Sequence, residues 1–263
     1  VNYSMAHFYK YGKSKTLFQE DITTPAQAKK KRQVYPSVTT VLSVIKDPFL
    51  DGIYKPKKTA ELAREYPNMD WRDVADLVYG LREHPTTGEQ IPSSEFGTAV
   101  HKRIEDYVLF DLQYPFGTTN DEMDRSIWDD WAKPFVDWYK EHNVKPIASE
   151  AVVACSRVKT AGSVDFIGRW ANGNGNYFLA DYKCRSCNGG KPKFYDKDCY
   201  QLAIESSFLK QDKRLGYLPE CISVCIDTDT CKHYHKKWTK EQVEHGIEMT
   251  KLCSRLYWGT RMK

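Results

Sequence analysis

The chain has 263 residues, 41% hydrophobic and 13% aromatic, which suits one large domain with a packed core and excludes a disordered polypeptide. Against 39 basic side chains stand 35 acidic ones, so the net charge of +4 permits a polyanionic partner without demanding one. The opening VNYSMAHFYKYGKSK lacks the apolar stretch of a secretory signal, and no run approaches the roughly 20 apolar residues of a membrane span. Eight cysteines in a chain this long need not form a disulfide framework. The expectation is a soluble, reduced, intracellular protein whose thiols are mostly free.

Residues 1–35 read as a strand or arm plus a loop, with a basic cluster at Lys29, Lys30, Lys31 and Arg32. Ser37 precedes Val38, Val41, Leu42 and Ile45, the stripe of a short helix ended before Pro48. Two more helices are expected at 59–66 and 70–83, the second with Trp71, Val74, Leu77, Val78 and Leu81 on its apolar face. Turn chemistry follows in HPTTGEQIP. A strong helix over about 94–110 aligns Phe96, Val100, Ile104, Tyr107 and Val108, and another over about 121–141 carries Met123, Ile127, Trp131, Phe135 and Trp138. At Pro146 the period changes. IASEAVVAC, SVDFIGRW and YFLADYKC are β-branched or aromatic runs separated by turns, and predict a three-stranded antiparallel meander. Residues 195–210 return to helix, PECISVCID and KHYHKKW are two further strands, and a last helix opens at Thr239. There Gln242 completes a T-x-x-Q capping box, and Val243, Ile247, Leu252 and Leu256 are expected to face inward. The fold class is therefore α/β or α+β: a helical N-terminal half around a sheet, closed by helices.

Asp181-Tyr182-Lys183 falls inside a strand, so Asp181 and Lys183 project from one face. Asp165 lies on the preceding strand, 16 residues earlier, and a hairpin with its tip in NGNGN brings it close to Asp181. Two carboxylates beside one ammonium, carried on strands, suit a hard cation such as Mg²⁺ or Mn²⁺. The lysine is placed to orient or activate a water and to neutralise charge on a phosphate. A D-x-K tripeptide alone is common and reads as a surface ion pair. Glu150 on the strand before, and His101 beside the apolar stripe of GTAVHKRIEDY, shift the balance toward a metal site.

The order Glu150, Gly162-x-x-Asp165, Asp181-Tyr182-Lys183 and Gln201 resembles the PD-(D/E)XK nuclease superfamily. The histidine helix that precedes it is similar to the RecB-like exonuclease branch, including mitochondrial genome maintenance exonucleases and related phage enzymes. The resemblance covers about 35–258 and rests on PSVTTVL (36–42), GTAVHKRIE (97–105), SEAVVA (149–154), GSVDFIG (162–168), ADYKCRS (180–186) and the KPKF-to-QLA stretch (191–203). It implies a restriction-endonuclease-like core over 94–263, with 1–93 as an arm and helical lobe packed on it. It further implies that His101, Asp165 and Asp181 bind metal with the Tyr182 carbonyl, that Lys183 is the catalytic lysine, and that Glu150 is an additional acidic ligand. Gln201 would hold a water, Lys183 or the DNA backbone. The family pattern has Q-x-x-x-Y on that helix, whereas Glu205 stands here at the tyrosine position and Tyr200 precedes the glutamine. Glu105, one turn after His101, reads as a supporting or a solvated residue.

The expected activity is metal-dependent hydrolysis of phosphodiester bonds in single-stranded DNA or at DNA ends, by a monomer. Its place would be a bacterial or phage-infected cytoplasm, or a mitochondrial matrix. Lys55, Lys57 and Lys58, then Lys191, Lys193, Phe194 and Tyr195, with Tyr200 and Gln201, are candidate DNA contacts, lysines on phosphates and aromatics on unpaired bases. Cys184-x-x-Cys187 follows the lysine directly and no cysteine precedes Cys155, a spacing that argues against an iron–sulfur cluster. Cys221 and Cys225 share a strand face and read as core. The rival readings are a structure-specific endonuclease, a catalytically silent DNA-binding module, and a zinc-binding interaction domain.

Overall fold

The computed structural model describes residues 8–11, 17–20, 34–46, 50–70, 73–74, 77–78, 80–114, 123–171, 175–211 and 215–259. Strands β1 (Phe8–Tyr11), β2 (Leu17–Glu20) and β3 (Val34–Pro36) form a small antiparallel sheet in the order β2-β1-β3. The basic cluster at 29–32 lies outside the described residues, as does Trp71. Helix α1 (Val38–Leu42) is capped by the Ser37 hydroxyl, which accepts from the Thr40 N–H at 3.0 Å. A π-helical turn at Leu50–Tyr54 opens α2 (Lys55–Glu65), whose Leu62 packs with Val74 and Val78 in a small apolar cluster of its own.

The helix expected over 70–83 does not reach 83. Gly80 adopts a left-handed φ of 89°, which ends the helical turns, and its carbonyl accepts from the Ser93 N–H. The chain then forms a hairpin of β4 (Leu81–Glu83) and β5 (Gln90–Pro92) across the HPTTGE turn. Helix α3 (Ser93–Gln113) follows as expected, but the next, α4 (Asp129–Glu141), begins eight residues late. The reason is Arg103 on α3. Its guanidinium donates to the Asp124 carbonyl at 2.8 Å and to Asp129, so residues 124–128 are held as an irregular entry rather than a helical turn. Met123 and Ile127 therefore lie outside the helix.

The centre is a five-stranded mixed sheet with helices on both faces. Strands β6 (Val144–Cys155), β7 (Thr160–Trp170) and β8 (Tyr177–Arg185) form the expected antiparallel meander. Helix α5 (Asp196–Gln211) crosses over to β9 (Glu220–Asp227), which runs parallel to β8, and β10 (His233–Lys237) pairs antiparallel at the edge. Helix α6 (Lys240–Gly259) closes the chain, and the strand order is β10-β9-β8-β7-β6.

Period-two alternation divides the core. Phe178, Ala180 and Tyr182 of β8 pack with Phe96, Val100, Phe135 and Tyr139 of α3 and α4. Leu179 packs on the other face with Leu202, Phe208 and Val243 of α5 and α6, together with Val38 and Val41 of α1. Coverage on both faces explains why YFLADYKC is a nearly continuous apolar run rather than an alternating one. The T-x-x-Q box forms as expected, with reciprocal bonds of 3.0 and 3.3 Å between Thr239 and Gln242. In α6, Val243 and Ile247 do face the core, but Leu252 and Leu256 are 48% and 58% exposed. The inward stripe runs instead through Thr250, Cys253 and Tyr257, which follow Gly246 in successive steps of four, three and four residues. All eight cysteines are free thiols. Among the described residues, no helix is long and apolar enough to cross a membrane.

Helix α5 is seated closely on α6 at Gly246, where an added Cβ would lie 2.9 Å from Ala203 Cβ and 3.1 Å from the Tyr200 ring. Gly246→Val is expected to push the two helices apart and to lower stability by ~1–3 kcal/mol, as overpacking does. Urea denaturation would read this, and an unchanged midpoint would show that the contact is slack.

Candidate functional site

The site is built where the sheet is interrupted. Between β7 and β8 the ladder runs from Arg169–Tyr177 to Phe166–Ala180 and stops before Asp165 and Asp181. In place of a backbone acceptor, the Asp165 carboxylate takes the Tyr182 N–H at 2.8 Å. On the other side, β6 and β7 pair at Ser149–Phe166 and again at Ala151–Val164, skipping Glu150 and Asp165. Glu150 has a left-handed φ of 49°, a strained state for a residue with a Cβ, and the Ser149 hydroxyl donates to the Asp165 carbonyl at 3.0 Å. Both neighbours of β7 are thus irregular at one level, and the carboxylates of Asp165 and Glu150 are released from the regular pleat.

Into that gap α3 delivers His101. Its Nδ1 lies 3.7 Å from Asp165 Oδ2, its ring meets the Tyr182 ring edge-on at 5.4 Å, and the Tyr182 carbonyl accepts from it. Donor atoms of His101, Glu150 and Asp165 all lie within 4.8 Å of one another, a candidate metal-binding triad. The Ser163 hydroxyl donates to Glu150 Oε2 at 2.5 Å and aims that carboxylate. Burial, with help from the Lys183 charge, lowers the His101 pKa to about 4, so the imidazole is neutral and has a lone pair to offer at neutral pH.

Asp181 lies outside that triad. It is buried, with Oδ1 accepting from Lys183 Nζ at 2.6 Å, while Oδ2 has no hydrogen-bond partner among the described residues. Burial works against the Lys183 charge, but Asp181 and Asp165 outweigh it and push the ammonium up to about 12. Lys183 is therefore a fixed cation. Burial raises Asp165 well above the usual carboxylate range, with the Asp181 charge adding to it, and burial likewise raises Asp181 against the pull of Lys183. One imidazole, two carboxylates of the triad and an orphaned carboxylate oxygen beside them make a donor set that fits a hard divalent cation.

The remaining predicted residues separate. Gln201 on α5 reaches Lys183, with Oε1 3.5 Å from Nζ. Tyr200, one residue earlier, points instead at α6, where its ring meets His245 edge-on and its carbonyl accepts from Thr250. Glu105 pairs with Lys102 at 2.9 Å on the surface of α3. Lys191, Lys193 and Tyr195 are exposed, and their segment is tied to the end of β8 by Arg185. That guanidinium is bidentate to Asp198 (2.7 and 2.9 Å), donates to the Lys193 carbonyl and lies over the Tyr195 ring. Among the described residues, Lys57 and Lys58 make long surface pairs with Glu61, at 4.0 and 3.9 Å.

Sequence reasoning missed Ser149 and Ser163, and it named Glu205 only as a departure at the tyrosine position, not as a carboxyl buried beside Lys183, Asp181 and Asp165. The available signal was Gly162, a glycine inside a strand, which marks a close approach of another group.

No protein-family model matches this chain, and no curated protein matches it. Among solved structures it is similar to a provisionally assigned exonuclease from Eubacterium rectale, at 10% identity and a TM-score of 0.38, over 62% of this chain and 68% of that one. It is also similar to SSO0001, at 17% identity and a TM-score of 0.32, over 82% of this chain and 81% of the other. Likenesses this distant decide nothing about activity, which has to be read from the site.

The raised carboxyls fix a sign. A carboxyl that binds its proton more tightly in the folded chain adds stability that is full below its ordinary pKa of 3.8 and is lost as pH rises through the raised value. Asp165→Asn is therefore expected to melt above the native chain at alkaline pH without metal, with the gap closing as pH approaches 3.8. Mn²⁺ should raise the melting temperature of the native chain and leave the variant unmoved. Equal stabilisation of both by Mn²⁺, read by scanning calorimetry, would place the ion elsewhere.

Proposed function

We propose that this chain is a Mg²⁺- or Mn²⁺-dependent deoxyribonuclease with a PD-(D/E)XK core, acting on single-stranded DNA or DNA ends in replication, repair or recombination. The observation that supports it is the meeting of the His101–Glu150–Asp165 triad and the Asp181–Lys183 pair where the pairing of β7 is interrupted. In this reading His101, Glu150 and Asp165 hold the cation, with Asp181 and the Tyr182 carbonyl beside them. A bound divalent cation supplies Lewis-acid stabilisation of charge on the phosphate and lowers the pKa of a coordinated water.

The protein's own groups do the rest. Lys183 keeps its proton, so it acts by charge: it neutralises the scissile phosphate and orients the attacking water rather than deprotonating it. Asp181 holds the ammonium from below and Gln201 from the side. Lys191 and Lys193 neutralise flanking phosphates, and Tyr195, braced by Arg185, offers a stacking face to an unpaired base. Residues 1–93 form, in this proposal, an arm and lobe packed on a nuclease core at 94–263. The β4–β5 hairpin already reaches the strand ends, where Arg82 meets Asp229 at 3.3 Å. Such a lobe would admit one strand by its end, which favours the exonucleolytic mode.

Two outcomes follow. Lys183→Ala should lower the cleavage rate on the order of 10²-fold or more while retaining Mn²⁺ binding, because the triad is untouched. A purified variant that cleaves at the native rate sinks the assignment of the lysine. Linear single-stranded DNA should be degraded far faster than a closed circle of the same sequence, followed by gel electrophoresis of labelled substrate with Mg²⁺, Mn²⁺ or EDTA. Equal rates on the two would exclude threading and favour an endonuclease.

A further inference from the structure

Glu205 lies one turn after Gln201 on α5, among Leu202, Ala203, Ile204, Phe208 and Leu209, all buried. It is 1% exposed, and its Oε2 has no hydrogen-bond partner among the described residues. The other oxygen presses on β7, since a Cβ on Gly162 would stand 2.7 Å from Oε1. A carboxyl buried in such surroundings is unfavourable, and an aliphatic side chain would fill the same space at no electrostatic cost. Burial, then Asp181 and Asp165, drive its pKa well above the usual range. Position 162 gives up a side chain to make room for it. Two positions thus forgo stability at one place, and the side-chain amide one helical turn from that carboxyl, on the same helix and already reaching Lys183, is that of Gln201.

The amide of Gln201 has an oxygen and a nitrogen that differ little in shape but oppositely in role. With the oxygen toward Lys183, as here at 3.5 Å, it accepts from the ammonium. Turned over, it would set N–H groups against a cation. The geometry points to Glu205 as the positioning residue that prevents this: by accepting the Gln201 N–H, it fixes the amide with its oxygen toward Lys183 and so holds the ammonium in its aim. The consequence for cleavage rests on the nuclease reading, but the contact itself does not.

The test separates the two. In the ¹⁵N-labelled full chain, the Gln201 side-chain NH₂ signal is identified by its loss in Gln201→Leu. It should exchange slowly with solvent in the native chain and in Glu205→Gln, whose amide oxygen still accepts, and rapidly in Glu205→Leu. Gly162→Ala, which crowds the carboxyl from β7 while leaving every residue of α5 unchanged, should expose the same signal and stands in if Glu205→Leu does not fold. In DNA cleavage, Glu205→Leu should lower kcat on the order of tenfold or more with KM unchanged, as loss of a supporting shell does. Glu205→Gln should recover most of it, and adding Glu205→Leu to Gln201→Leu should cost nothing further. Slow exchange of Gln201 in folded Glu205→Leu or Gly162→Ala would overturn the contact, and multiplying losses in the double variant would overturn the positioning role. A native chain that cuts no DNA would overturn the nuclease reading alone, with the exchange comparison still deciding the contact.

Discussion

The structure turns on a missing rung. Where β7 and β8 would continue their antiparallel ladder, the Asp165 carboxylate accepts the Tyr182 N–H instead of a backbone carbonyl. A buried N–H has to be satisfied, and the substitution lets two strands part without leaving one orphaned. The gap is tolerated because β8 remains paired with β9 from Phe178–Glu220 to Arg185–Asp227, through both Asp181 and Lys183. The strand that carries Asp181 and Lys183 is therefore rigid even where its other edge is open. Through that opening a histidine from one helical layer comes within reach of carboxylates on the strands, while Gln201 and Glu205 close in from the opposite layer.

The electrostatics follow from the crowding. Asp165, Asp181 and Glu205 are buried within mutual influence, with Lys183 as their nearby cation. Two acids hold the lysine charged, and in return the lysine keeps Asp181 lower than burial alone would leave it. What remains is a buried cluster with more acids than cations, whose ionisation costs the folded chain and would be relieved by a divalent cation. A fold under no other demand would have filled these positions with aliphatic side chains, as the surrounding positions of α5 and β8 are filled. Strain at Glu150 belongs to the same account: a left-handed residue persists in a strand only where its surroundings hold it there.

The long structural pieces are legible in the sequence for reasons that can be named. The change of hydrophobic period at Pro146, the capping box at Thr239 and the apolar stripe of α3 are local patterns, and each forms where local pattern places it. Boundaries failed where a distant residue intervened. Arg103 takes the Asp124 carbonyl and delays α4, and pairing with β5 converts residues 81–83 from helix to strand. In α6, Leu252 and Leu256 lost their inward places to Thr250, Cys253 and Tyr257, because the contact with α5 at Gly246 sets the rotation of the helix.

At the site, the sequence by itself determined that Asp181 and Lys183 share a face of one strand and that Asp165 lies on its neighbour, since strand alternation and hairpin connectivity are local. It also marked His101, Glu150 and Gln201 as residues of the right chemistry in a recognisable order. Only the tertiary structure decided how they are grouped. It joined His101 and Glu150 to Asp165, gave Asp181 to Lys183, turned Tyr200 toward α6 and brought Glu205 over Gly162. Each of those choices depends on where a strand pair opens and how a helix is rotated on the sheet. Both are set by packing between segments far apart in the chain, which residue spacing along it does not encode.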